Sequence, residues 1–182
     1  AMAAKKWGVD YWDGDRCTGY GGYHYDGRWR PVADAMAKHY CLTAENRVLD
    51  VGCGKAFLLY ELTQSVPGIS VAGVDISEYA LENAKREIRE ELKLASANEL
   101  PFEDSSFDLV ISLNTLHNLL VPDLFSALHE IERVSSEDSY IVVETYRSEQ
   151  EKVNLMCWQL TCEGFYRPEE WEWIFSKAGY TG

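Results

Sequence analysis

The chain has 182 residues, 46% of them hydrophobic, which fits one domain with a single well-buried core. Its formal charge of −13, with no basic stripe, excludes a nucleic-acid polyanion as a natural partner. No apolar run of about eighteen residues is present to span a membrane, and no basic-then-apolar leader opens the sequence, so cytoplasmic residence is expected.

Residues 5–29 are dense in tyrosine, tryptophan, glycine and aspartate and show little periodicity. Residues 1–30 are therefore read as an ordered aromatic segment, a lid or a clasp, ahead of a main domain at 31–182. Pro31 opens a helix to residue 40 with Val32, Ala35, Met36 and His39 on one face. A first strand is expected at 47–50, then a helix at 57–66 that buries Leu58, Leu59 and Leu62 and stops at Pro67-Gly68.

The apolar run 69–76 reads as the second strand, and Ser77 as the cap of a helix over 78–91. That helix would bury Leu81, Ala84, Ile88 and Leu92, with Glu82 and Arg86 pairing on its wet side. A weak third strand is placed at 92–97 and a strong fourth at 107–113, apolar enough to be covered on both faces. Pro122 starts a helix carrying Leu124, Ala127, Leu128 and Ile131 inward, and a fifth strand follows at 140–144. After a mixed segment, Pro168 opens a last helix with Trp171, Ile174, Phe175 and Ala178 on its buried stripe, closed by Gly179. Alternating strands and helices give an α/β, doubly wound, mainly parallel sheet with right-handed crossovers.

The run Val48-Leu49-Asp50-Val51-Gly52-Cys53-Gly54-Lys55-Ala56 carries most of the functional signal. Glycine lacks a Cβ, so at Gly52 and Gly54 the chain can turn sharply and a ligand can lie against the backbone. A dinucleotide fingerprint would set such glycines against a pyrophosphate, but Asp50 would repel that anion. The third glycine of that fingerprint would fall at Phe57, whose ring prevents close helix–strand packing. A cationic or zwitterionic ligand suits the loop better, and Asp75, ending the next strand, is a second carboxylate placed to hold a ribose diol.

These residues resemble the glycine loop and acidic second-strand residue of the class I, Rossmann-like methyltransferases that use S-adenosylmethionine. The run Leu100-Pro101-Phe102-Glu103-Asp104-Ser105-Ser106-Phe107-Asp108-Leu109-Val110 is similar to the segment entering the fourth strand of small-molecule members, many of the ubiquinone-biosynthesis type. The resemblance implies that Asp50, Gly52 and Gly54 face the methionyl part of S-adenosylmethionine and that Asp75 takes both ribose hydroxyls. Ile76 would then pack on the adenine face, Ser96 and Ala97 line its edge, and Asn114 with Leu113 closes the pocket. Ala56 stands where a third glycine is common in the family, and Ser96 where many members carry an aspartate. The family also adds two strands after the last helix, so an incomplete sheet is expected here. Its fifth strand would be an uncovered edge that favours pairing into a homodimer.

The resemblance further implies transfer of the methyl group to an oxygen, nitrogen or carbon of a small molecule by in-line displacement. Two alternatives use the same pocket: a non-methyl reaction of the same cofactor, or binding without turnover. The candidate bases are His117, just past the fourth strand, and Glu144, at the end of the fifth. As a lid, the aromatic segment would bring Tyr20 or Tyr25 over the methionyl group, and Arg28 or Arg30 to a carboxylate of cofactor or substrate. Inward-pointing arginines would suit an anionic acceptor. Residues 153–166 would build its apolar wall. The five cysteines include no zinc-type pair, so reduced thiols and no metal are expected, with Cys53 packing inside the loop.

Overall fold

Strands β1 (Arg47–Val51), β2 (Ser70–Asp75), β3 (Leu92–Leu94), β4 (Phe107–Leu113) and β5 (Ser135–Val142) form one sheet in a computed structural model that describes residues 3–182. Every pairing is parallel, and the order is β3-β2-β1-β4-β5. The helices are α1 (Val9–Trp12), α2 (Arg30–His39), α3 (Phe57–Ser65), α4 (Glu78–Glu82), α5 (Val121–Val134), α6 (Glu149–Trp158) and α7 (Pro168–Ala178). No strand follows α7 among the described residues, so the sheet ends at five and β5 is an edge.

Strand alternation sends successive side chains to opposite faces, and both faces are covered. Val48, Leu109 and Ile111 point into a layer with α2 and α3, where Ala33, Met36, Leu58, Leu59 and Leu62 are buried. Leu49 and Val110 point the other way, against Leu124, Leu128 and Ile131 of α5 and Trp171 and Ile174 of α7. The chain runs outward from β1 to β3 and then returns to place β4 on the other side of β1. Such a switch point leaves a crevice at the carboxyl ends of the strands.

Four expectations are corrected. The helix expected over 78–91 is a short α4 followed by a 3-10 turn, Arg86–Glu91. Asn83 caps α4, its amide bonding the Tyr79 carbonyl at 2.8 Å, and Lys85 is extended, so Glu82 and Arg86 lie on either side of a break. Strand β5 begins at Ser135 rather than 140, because its polar first half lies on an edge where side chains can face water. Ser136 ties that half to the Phe107 carbonyl at 2.9 Å.

Helix α6 occupies a stretch read as mixed; only Leu155 of it is buried, so it carries no apolar stripe to recognise. Helix α2 buries Ala33 and Met36, while Val32, Ala35 and His39 face solvent. No helix among the described residues is long and apolar enough to cross a membrane.

Candidate functional site

Three adjoining cavities line the carboxyl ends of β1, β2 and β4. The innermost, about 80 Å³, is walled by Asp50, Gly52, Gly54 and Phe57. A middle one, about 150 Å³, is walled by Asp75, Ile76, Ser96, Ala97 and Thr115. The outer one, about 270 Å³, is walled by His117, Glu144, Gln159 and Thr161. Tyr20 and Asn114 border all three.

The glycine loop is held from behind. The N–H groups of Gly52 and Cys53 both donate to the Val74 carbonyl, at 2.8 and 3.0 Å, and the Gly54 N–H donates to Asp75 Oδ2 at 2.7 Å. At Gly52, with φ +83°, a Cβ would come within 2.0 Å of Thr115 Oγ1, so no other residue fits. Ala56 follows in the left-handed region at φ +53°, where an alanine carries a strain of about 1 kcal/mol that glycine would avoid.

Asp50 is buried, and its Oδ1 has no hydrogen-bond partner among the described residues. Burial, with the neighbouring Asp75 carboxylate, pushes its carboxyl up to about 8. A positive group arriving there would satisfy the orphaned oxygen and restore the ordinary ionised state. Asp75 is raised by burial as well, against the lowering effect of the Ser77 and Gly54 N–H groups. The Ser77 bond reaches Oδ1 at 2.8 Å and the Gly54 bond reaches Oδ2, so backbone N–H groups hold both oxygens at the mouth of the middle cavity. Ile76 is 51% exposed and forms a bare apolar wall. Asn114 sits at φ +56°, its N–H fixed by the Val142 carbonyl at 2.9 Å.

The aromatic segment covers this cleft. Trp12 packs on Gly54, whose added Cβ would lie 2.6 Å from the indole, and it stacks on Tyr20 at 5.5 Å between ring centroids. Its Nε1 donates to Ser77 Oγ at 2.9 Å. Lys55, buried within the loop, donates to both Asp13 oxygens at 2.7 Å and to the Tyr23 carbonyl at 2.8 Å. Tyr79 adds its hydroxyl to Asp13 at 2.8 Å.

Three residues named with the lid face elsewhere. Arg28 forks onto Asp26 in solvent, Arg30 pairs with Glu61 at 3.0 Å, and the Tyr25 hydroxyl donates to the same carboxylate at 2.6 Å. Each has a nearer carboxylate than anything in the cleft. Of the expected lid groups, Tyr20 alone borders the cavities. Trp12, Asp13 and Lys55 were not picked out from sequence; a lysine inside an apolar loop is the signal that a carboxylate must meet it.

His117 and Glu144 both reach the outer cavity. Burial lowers His117 to about 4, so its ring is neutral. Nδ1 accepts the Glu144 N–H at 3.3 Å, which puts the ring proton on Nε2, 3.5 Å from Gln159. In that tautomer neither nitrogen offers a free lone pair to a substrate. Burial raises the Glu144 carboxyl above its ordinary range, against the lowering effect of Gln159. Of the expected apolar wall, Met156 is exposed on α6 and Leu155 is buried, while Trp158 and Leu160 reach the cavity. Burial raises the Cys53 thiol well above its ordinary range, leaving it unreactive.

A family model described as a methyltransferase domain matches residues 42–179. The 27-O-demethylrifamycin SV methyltransferase of Amycolatopsis mediterranei is 30% identical over 131 residues, covering 68% of this chain and 45% of that protein. A demethylmenaquinone methyltransferase of Staphylococcus saprophyticus is 31% identical over 154 residues, covering 76% and 65%. Among solved structures, a SAM-dependent methyltransferase from Archaeoglobus fulgidus superposes with a TM-score of 0.62 at 26% identity, covering 82% of this chain and 68% of that one. The chain spans about half the length of the first curated relatives it matches.

Proposed function

The chain belongs to the methyltransferase-domain family, and on that premise we propose that it binds S-adenosylmethionine in the inner two cavities and methylates a small molecule held in the outer one. The observation that carries this reading is Asp50: a buried carboxylate with an unpartnered oxygen, beside a glycine loop into which no Cβ fits. Such a group costs stability until a cation meets it, and the ammonium of a methionyl group is one. Asp75 would hold the ribose, Ile76, Ser96 and Ala97 the base, and Gly52, Gly54, Asn114 and Tyr20 the methionyl arm. When bound, the sulfonium supplies an electrophilic methyl carbon.

This chain's own residues supply position and dryness. Trp12, Tyr20 and Tyr23 cover the cleft and keep water from it. Asn114 and Tyr20 form the boundary where an acceptor in the outer cavity meets the donor. Glu144 takes the acceptor's proton, and His117, by accepting the Glu144 N–H, positions that residue. Residues 3–30 act as a lid fastened by Asp13 and Lys55. Cytoplasmic residence is part of the same reading, supported by five free thiols.

Titration calorimetry with S-adenosylhomocysteine and with a nicotinamide dinucleotide tests the cofactor, and preference for the dinucleotide would overturn it. Incubation with methyl-labelled cofactor tests the reaction. Label found on the acceptor supports transfer; an altered acceptor without label would mean that the same pocket serves other chemistry.

A further inference from the structure

The outer cavity has a one-sided chemistry. Among the described residues no lysine or arginine borders it, and Arg28 and Arg30 of the aromatic segment are held outward by Asp26 and Glu61. Among the described residues its one carboxyl group is Glu144, half-buried, with Gln159 as its side-chain partner. His117 beside it is neutral and adds no positive charge. Asn118, which borders both the outer and middle cavities, has a buried Oδ1 with no hydrogen-bond partner among the described residues. The wall thus holds one acceptor lacking a donor, Asn118 Oδ1, one carboxyl group with Gln159 as its side-chain partner, and, among the described residues, no cation to receive an anionic group.

Resting on the methyltransferase reading above, we propose that the acceptor is a small primary or secondary amine whose nitrogen is held by Glu144. An ammonium meets a carboxylate in that outer cavity, whereas a carboxylate or phosphate would meet repulsion from it and no cation. The step balances simply. The ammonium first gives one proton to Glu144. The nitrogen lone pair then forms the new N–C bond as the sulfonium S–C bond breaks, its electron pair staying on sulfur as a thioether. The product leaves as an N-methylammonium, and Glu144 returns its proton to water.

The test is calorimetry on the full chain with S-adenosylhomocysteine saturating, titrating phenethylamine against 3-phenylpropionate, and cyclohexylmethylamine against cyclohexanecarboxylate. The amine of each pair is expected to bind at least about tenfold more tightly than its carboxylate. Glu144→Gln should weaken the amine by about tenfold or more while S-adenosylhomocysteine binds within about twofold of the parent, and Glu144→Lys should reverse the preference. Equal or tighter binding of the carboxylates, no binding of either amine, or unchanged amine affinity in Glu144→Gln overturns the proposal. Each of these leaves the cofactor reading intact. Failure of the parent to bind S-adenosylhomocysteine overturns both.

Discussion

The Lys55 ammonium lies 2.7 Å from both carboxylate oxygens of Asp13, joining the glycine loop to the segment that roofs it. Lys55 is only 3% exposed, so the desolvation of its ammonium is offset by that partner. Asp13→Asn removes the countercharge, leaving the ammonium only neutral acceptors such as the Tyr23 carbonyl, and should cost about 2–4 kcal/mol because an uncompensated buried charge remains. Lys55→Met added to it should recover part of the loss. A double-mutant cycle by urea unfolding measures the coupling, and a coupling near zero would remove the fastening role.

Asp50 sets stability against function. Its carboxyl is raised to about 8, so between the ordinary 3.8 and that value the folded chain holds a proton that the unfolded chain has lost. Stability of the unliganded chain therefore falls as pH rises through this window. Asp50→Asn removes that loss and should raise unliganded stability by about 1–3 kcal/mol at pH 8, while weakening S-adenosylhomocysteine by about 10- to 100-fold. Thermal melts at pH 4 and 8, with and without ligand, check both signs.

His117 has the opposite linkage. Burial holds it near 4, so between 4 and the ordinary 6.5 the unfolded chain takes up a proton that the folded chain refuses. Stability is full above about pH 6.5 and is lost as pH falls toward 4, by on the order of 2–3 kcal/mol. His117→Gln should flatten that acid limb. Turnover near neutral pH should keep its pH profile in the variant, since in the proposed reaction the proton goes to Glu144; loss of the parent's titration in the variant would restore the histidine as base.

Gly52→Ala puts a methyl 2.0 Å from Thr115 Oγ1 in a left-handed backbone at φ +83°. The expected cost is about 1–3 kcal/mol, with weaker S-adenosylhomocysteine binding. Adding Thr115→Ala should recover part of the steric share, since the Thr115 Cβ still lies 2.7 Å from the added methyl, and leave the backbone share. Full recovery in urea melts would mean that the backbone there is unstrained.

What could be read in the sequence was what backbone geometry or burial restricts to few residue types. Gly52, Gly54, Asp50 and Asp75 are of this kind, and the structure gathers them at one end of the sheet. Apolar periodicity likewise located α3, α5, α7 and β4. Periodicity failed where the solvent side dominates: α6 buries one residue, and the first half of β5 is serine and acid on an open edge. Ser148, whose hydroxyl accepts the Glu151 N–H, was the overlooked sign of α6. The aromatic segment was legible as ordered but not in its contacts. Which of Tyr20, Tyr25, Arg28 and Arg30 faces the cleft depends on Asp26 and Glu61, whose competition no local pattern encodes.

Tyr20 is a wall of every compartment, and it rides on the segment that Asp13 pins down. In the proposed reaction, release of what lies beneath Trp12 by lifting that same wall, rather than bond making, is expected to set the pace of steady turnover. A rapid-quench experiment should accordingly show a burst of the first methylated product followed by a slower linear phase, and weakening the fastening should speed the second phase alone.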